Sequence, residues 1–178
     1  MLLNLLDITR KKLKANSANF CTLVNLSFGS IAILFTLNAN LNLAMLFIFI
    51  AALFDRFDGA IARKLNIESD LGKQLDSMSD IVSFGIAPAL LIYQGSLTEL
   101  GIAGEFFTIL YIACGAFRLA RFNVTENNGY FCGVPITVAG VFAAFCFLFN
   151  TWINPVIMLI IMLLLSLLMI SSFKLKKM

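Results

Sequence analysis

The chain has 178 residues, 60% of them hydrophobic and only 13% charged, with 13 Lys and Arg against 10 Asp and Glu and a formal net charge of +3. A mean hydropathy of +0.93 excludes both an ordinary soluble domain and a disordered segment. Histidine is absent, which removes the commonest catalytic base and metal ligand and shifts that work onto carboxylates.

The opening MLLNLLDITRKKLKANS places its apolar residues before its basic cluster, the reverse of a secretory signal. Leu2, Leu5, Leu6 and Leu13 fall on one helical face, and Arg10, Lys11, Lys12 and Lys14 close the segment. The pattern predicts an interfacial amphipathic helix over residues 1–17 on an anionic leaflet; a frayed basic tail is the plain alternative. Six apolar stretches of bilayer-spanning length follow, near 18–37, 41–54, 81–93, 100–120, 134–149 and 153–173. The second continues helically into a polar motif, and the third begins polar near Ser69. Pro155 stands in the first turn of the sixth, where proline is tolerated. Residues 174–178 form a basic tail.

Charge fixes the orientation expected for these spans. All 13 basic residues fall on the side shared by the two termini and the polar motif, and the loops near residues 38–42, 94–99 and 150–154 have none. By the positive-inside rule, termini and motif face the cytoplasm of a cell-membrane protein. The expected fold is therefore an all-α integral membrane protein of six transmembrane helices, forming one domain over 18–173. Cys21, Cys114, Cys132 and Cys146 lack metal-type spacing and read as reduced packing residues.

Function is sought in DRFDGAIARKLNIESDLGKQLDSMSD, residues 55–80. Each Asp near the centre of a membrane helix costs roughly 2.5–3.5 kcal/mol on insertion scales, so four in one place call for compensation. Asp55 and Asp58 are three apart on one helical face, continued by Ala62; Asp76 and Asp80 are four apart, with Gly72 one turn earlier. Were the two helices antiparallel neighbours joined near 65–68, the four carboxylates would converge and hold two divalent cations about 3.5–4 Å apart, an arrangement suited to phosphoryl transfer. Gly59, Ala62 and Gly72 would let phosphates or a nucleotide approach the backbone, and Arg63 can bind phosphate bidentately. The bland reading of these charges is a set of surface ion pairs. A cation transporter with an intramembrane carboxylate cluster is the alternative from another class, and an arginine beside the aspartates argues against it.

Asp55-x-x-Asp58-Gly59-x-x-Ala62-Arg63, eight residues, then Gly72-x-x-x-Asp76-x-x-x-Asp80 resembles the signature of the CDP-alcohol phosphatidyltransferases. Eight fixed residues over twenty-six positions make a specific motif. The resemblance implies six spans, with the signature across the second and third, and transfer of a phosphatidyl group from a CDP-linked lipid to an alcohol with release of CMP. It implies that Asp55, Asp58 and Asp76 bind two Mg²⁺ or Mn²⁺ ions. Asp80 would both approach the metals and act as base on the acceptor hydroxyl. Nucleotide contacts are implied for Gly59, Arg63 and the hydroxyl of Ser69. Relatives often show Pro-Asn-x-x-Thr at the opening of the first span. Here Asn19 and Thr22 are present and Ala18 replaces the proline. A homodimer is the expected assembly.

Three further stretches, Asp76–Pro88, Phe117–Asn123 and Phe131–Thr137, are similar to the phosphatidylserine synthases of that family, which implies CDP-diacylglycerol and L-serine as substrates. Arg118 and Arg121, three apart, suit a serine carboxylate or a lipid phosphate, or else only positive-inside anchoring. Ser83, Gly85 and Pro88 either shape the acceptor pocket or kink the third span. Glycerol 3-phosphate and inositol phosphate remain alternative acceptors.

Overall fold

The computed structural model describes residues 2–65, 70–124, 130–171 and 174–176, with side chains for 19–57, 59, 71–124 and 133–171. Among the described residues there are seven α-helices: α1 (Leu2–Leu37), α2 (Leu41–Leu65), α3 (Asp70–Asp80), α4 (Ala87–Ile92), α5 (Ile102–Val124), α6 (Ile136–Phe147) and α7 (Pro155–Ile170). The helix α1 is continuous through residue 17, where a separate interfacial segment was expected to end. Among the described residues, three helical stretches are long and apolar enough to cross a membrane: Asn19–Leu37, Leu71–Leu100 and Ile102–Val124. The helix α2 has 25 residues, with the aspartate motif in its second half. Apolar α6 and α7 are shorter, 12 and 16 residues, or about 18 and 24 Å at 1.5 Å per residue.

The interior is built from small side chains. Ala32, Ala44, Ala51, Ala87, Ala89, Ala139, Ala143 and Ala144 are fully buried, while Leu, Ile, Phe and Trp residues such as Ile102 and Trp152 face outward. This is the distribution expected where lipid surrounds the bundle and close backbone approach holds it together. Larger apolar groups fill the gaps: Phe84, Tyr111, Ile136, Met158, Met162 and Met169 form the middle of the main cluster. Aromatic rings join α1 to α2, with Phe28 5.2 Å from Phe54 and Phe35 stacked on Phe47 at 5.3 Å between centroids.

The third rod departs from regular α-helix. From α3 it passes through a π-helical stretch (Ile81–Ile86) into α4, then through a second (Tyr93–Leu97) and a 3₁₀ turn (Thr98–Leu100). Pro88 explains the first irregularity: it has no N–H to donate to the carbonyl of Phe84, four residues earlier, and its ring crowds that position. Tyr111 Oη on α5 donates to Phe84 O instead, at 3.2 Å. Gly140 on α6 lies against the same residue, so close that a Cβ there would come within 2.5 Å of Phe84 O. On the other side, Ser79 Oγ and Ser83 Oγ donate to Thr22 O and Asn25 O of α1, each at 3.2 Å, and Gly29 leaves room for Ser83.

A short antiparallel ladder pairs β1 (Tyr130–Cys132) with β2 (Lys174–Lys176), three residues a side in an otherwise all-helical fold. Two extended segments running side by side satisfy each other's backbone groups in this way. Next to it, Gly133 adopts φ +76° and packs on the carbonyls of Leu168, Met169 and Ser171, where a Cβ would clash at 2.5–3.1 Å. Val134 N donates to Leu168 O at 3.2 Å. At the opposite end of the bundle, Asn154 caps α7 by accepting from Val156 N at 2.9 Å, with Pro155 at the first helical position.

Candidate active site

The motif ends of α2, α3, α5 and α6 surround an open cavity of about 910 Å³. Asp55 enters it from α2, and Asp76 and Asp80 from α3. Each offers a carboxylate oxygen, and these three oxygens lie within 4.8 Å of one another. Two unit charges at that separation repel by about 3.5 kcal/mol at an effective dielectric of about 20, so the cluster is built for a compensating cation. Its donors are hard anionic oxygens, and among the described residues no thiol joins them. That set suits Mg²⁺ or Mn²⁺ rather than a soft transition metal.

Helical spacing brings these groups together. Asp76 and Asp80 are one turn apart on α3 and point the same way. The side chains of Asp58, Ala62 and Arg63 lie outside the described ones, and Ser69 lies outside the described residues altogether. Gly59 lines the cavity beside Asp55. Gly72 is on α3 one turn before Asp76 and is not among the lining residues.

The wall facing the aspartates comes from α5 and α6. Arg118, only 6% exposed, lines the cavity, and its Nε is buried with no hydrogen-bond partner among the described residues. Asn123, also lining, donates through Nδ2 to Ser77 Oγ at 2.9 Å, and its carbonyl accepts from Lys73 Nζ at 3.3 Å. Ser77 Oγ in turn donates to Lys73 O at 3.1 Å, and Lys73 Nζ stands 5.9 Å from the centre of the Phe122 ring. This network ties the end of α5 to the helix that carries Asp76 and Asp80. Pro135, Thr137 and Val138, at the start of α6, complete the wall.

Several residues expected at the site stand elsewhere. Arg121 donates from Nη1 to Ile170 O at 3.0 Å and from Nη2 to Ser171 O at 3.3 Å. It therefore caps the last turn of α7 rather than lining the cavity, because α7 packs beside α5 and brings its carbonyls within reach. Ser83 is fully buried against α1 and also does not reach the cavity; the π-helical stretch begins just after Asp80 and changes the phase of the residues beyond it. Thr22 and Asn19 are on α1, Thr22 buried with its carbonyl accepting from Ser79, and neither lines the cavity. Conversely, Arg56, Lys73 and Ser77 line it without having been singled out. Lys73 and Ser77 are one and five residues beyond Gly72, inside the signature, and that position was the available signal.

Three stretches far apart in the chain thus meet at one cavity: Asp76–Asp80, Arg118–Asn123 and Pro135–Thr137. Residues 15–170 match the CDP-alcohol phosphatidyltransferase family. The chain is 39% identical to a CDP-diacylglycerol–serine O-phosphatidyltransferase of Bacillus subtilis over 86% of this chain and 85% of the relative. It is 37% identical to one of the same name from Methanocaldococcus jannaschii, over 90% of this chain and 73% of the relative. An archaetidylserine synthase of Methanothermobacter thermautotrophicus is 38% identical over 86% of this chain and 66% of the relative. With the aspartate cluster, its flanking helices and nearly the full length of the chain accounted for, the protein belongs to the CDP-alcohol phosphatidyltransferase family.

Proposed function

We propose that this protein transfers the phosphatidyl group of CDP-diacylglycerol to the hydroxyl of L-serine, giving phosphatidylserine and CMP. The observation that carries the reading is the meeting of the aspartate cluster with Arg118 and the start of α6 in one cavity. Relatives 37–39% identical over most of this chain are named for serine, whether phosphatidyl or archaetidyl.

In this reading Asp55, Asp58, Asp76 and Asp80 hold two divalent cations, Mg²⁺ or Mn²⁺. When bound, these neutralise charge developing on the diphosphate during phosphoryl transfer. Gly59, Ala62 and Gly72 let the cytidine diphosphate approach the backbone of α2 and α3. Arg63 contacts phosphate, and the hydroxyl of Ser69 contacts the nucleotide. Asn19 and Thr22, at the opening of the first span, belong to the CDP-lipid-binding residues of this reading, and the Thr22 carbonyl also accepts from Ser79 Oγ of α3. The serine oxygen attacks the phosphorus that carries the diacylglycerol, the bond from that phosphorus to the CMP oxygen breaks, and Asp80 takes the hydroxyl proton. Arg118 supplies positive charge on the acceptor side. Since the phosphoryl transition state needs chiefly alignment and charge neutralisation, the Lys73–Asn123–Ser77 network contributes by fixing α5 against α3.

The same reading places six spans in the cell membrane, residues 1–17 along the cytoplasmic interface, the termini and the site on the cytoplasmic side, and the protein as a homodimer. The one-sided distribution of all 13 basic residues supports this orientation. The test is CMP release from CDP-diacylglycerol with L-serine, glycerol 3-phosphate and inositol phosphate supplied side by side. Serine alone should support turnover. Turnover with a phosphorylated acceptor and none with serine would leave the family reaction standing and remove serine from it.

A further inference from the structure

The buried face of α1 is a stripe set three and four residues apart: Thr22, Asn25, Gly29, Ala32 and Thr36. Asn25 differs from the rest in its chemistry. Its side chain is fully covered, and neither Oδ1 nor Nδ2 has a hydrogen-bond partner among the described residues. Thr36, deeper in the same stripe, turns its hydroxyl back to Ala32 O at 2.9 Å. An amide left unpaired in an apolar interior is unfavourable, and native proteins keep few such groups. Fully covered as it is, Asn25 can pair only with a neighbouring side chain and not with a diffusing ligand.

The register of the helices identifies that neighbour. Ser79 Oγ donates to Thr22 O and Ser83 Oγ to Asn25 O, so α3 and the π-helical stretch run parallel to α1. A Cβ added to Gly29 would meet Ser83 Oγ, and one turn earlier along both rods are Asn25 on one side and Ser79 and Asp80 on the other. Asn25 precedes Gly29 by four residues, about 40° back round the helix, and Asp80 follows Ser79 by one, about 100° forward. On parallel right-handed rods, a backward turn on one and a forward turn on the other lead to the same side of the contact. Asp80 lines the cavity on that side and offers one carboxylate oxygen to the cluster with Asp55 and Asp76. It also interacts there with the charge of Arg118. The amide of Asn25 stands behind it.

We propose that Asn25 is a positioning residue for Asp80, its Nδ2 donating to the Asp80 carboxylate from the α1 side during turnover. The bond is open in the described state and closed in the working one. This rests on the role given to Asp80 above. A carboxylate held from behind keeps its other oxygen aimed at the reacting groups, so the effect falls on rate and not on substrate affinity. Were packing the whole of its role, an apolar residue at this position would serve the interior better.

The experiment uses the full chain in mixed micelles with CDP-diacylglycerol, L-serine and Mn²⁺, following CMP release, and measures Tm separately in EDTA without substrate. Asn25→Leu replaces the amide by an apolar group of the same branching. It should lower kcat by roughly ten- to a hundredfold, leave both KM values within about threefold, and not lower Tm, since it removes an unpaired buried amide. The same substitution in the Asp80→Asn background should change the residual kcat by less than about threefold, because the group that Asn25 positions is already gone. Should the bulk of leucine lower Tm, Asn25→Ala in the same cycle decides. The proposal is overturned if kcat is kept, if a KM rises in place of the fall in kcat, or if the two changes multiply in full in the double variant. An Asp80→Asn rate above about a tenth of the original would instead locate the failure in the role given to Asp80.

Discussion

Tyr111→Phe removes a single oxygen from the middle of the bundle, and the structure specifies its effect. Tyr111 is fully buried, and its hydroxyl donates to Phe84 O at 3.2 Å, where Pro88 has no N–H to offer. Leaving that buried carbonyl without its donor should cost about 1–3 kcal/mol. For a chain of this size each kcal/mol shifts Tm by roughly 2–4 °C, so a fall of about 2–12 °C is expected. Cys114 and Cys146 are buried thiols, and a thiol-reactive dye in detergent solution reports their exposure on heating. The decisive form is a double-mutant cycle with Pro88→Ala, which returns an N–H to residue 88 and cancels the separate effects of each change. Tyr111→Phe should cost clearly less in the Pro88→Ala background, by at least about 0.5 kcal/mol. An equal cost in both backgrounds would show that Tyr111 does not replace the missing helical donor, and the account of the π-helical stretch given above would be wrong.

Chelation by EDTA should abolish CMP release, and Mg²⁺ or Mn²⁺ should restore it; full activity with metal removal verified would rule out cation-assisted transfer. Asp80→Asn should lower kcat by about a hundredfold or more while CDP-diacylglycerol still binds, so a residual rate above about a tenth of the original removes Asp80 as the base. Arg121→Ala should lower Tm, because Ile170 O and Ser171 O lose their donors, yet change the serine KM by less than about threefold; a larger KM effect would return Arg121 to the acceptor site. Gly140→Ala, whose Cβ would press on Phe84 O at 2.5 Å, should destabilise by about 1–3 kcal/mol, and an unchanged Tm would mean that α6 can retreat freely.

The aspartates were legible in the sequence because a helix repeats: spacings of three and four put carboxylates on one face, and the structure brings Asp55, Asp76 and Asp80 together. The apolar helices could also be read, since each is a local pattern, and the segments around Arg118 and Pro135 do reach the cavity of the aspartates. What escaped was decided by neighbours. Arg118 and Arg121 look equivalent as letters, and only the packing of α7 beside α5 sends one to the cavity and the other to a helix end. Ser83 follows Asp80 by three residues and would share its face in an ideal helix. The π-helical stretch that begins at Ile81 breaks that phase, and Pro88 signalled an irregularity without showing where the extra residue would be absorbed. The β1–β2 ladder joins segments of ordinary composition from distant parts of the chain, so no local pattern announces it.

Gly133 packs on carbonyls from the last turn of α7, and Arg121 donates to the same turn. The two halves of the cavity are therefore completed at different times during synthesis. The aspartates of α2 and α3 have left the ribosome long before α7 exists, whereas the brace for the segment leading into α6 arrives only with α7. A partly synthesised chain can gather its carboxylates but has nothing to anchor the wall opposite them. The wall of the cavity opposite the aspartates is thereby braced only once α7 has been made.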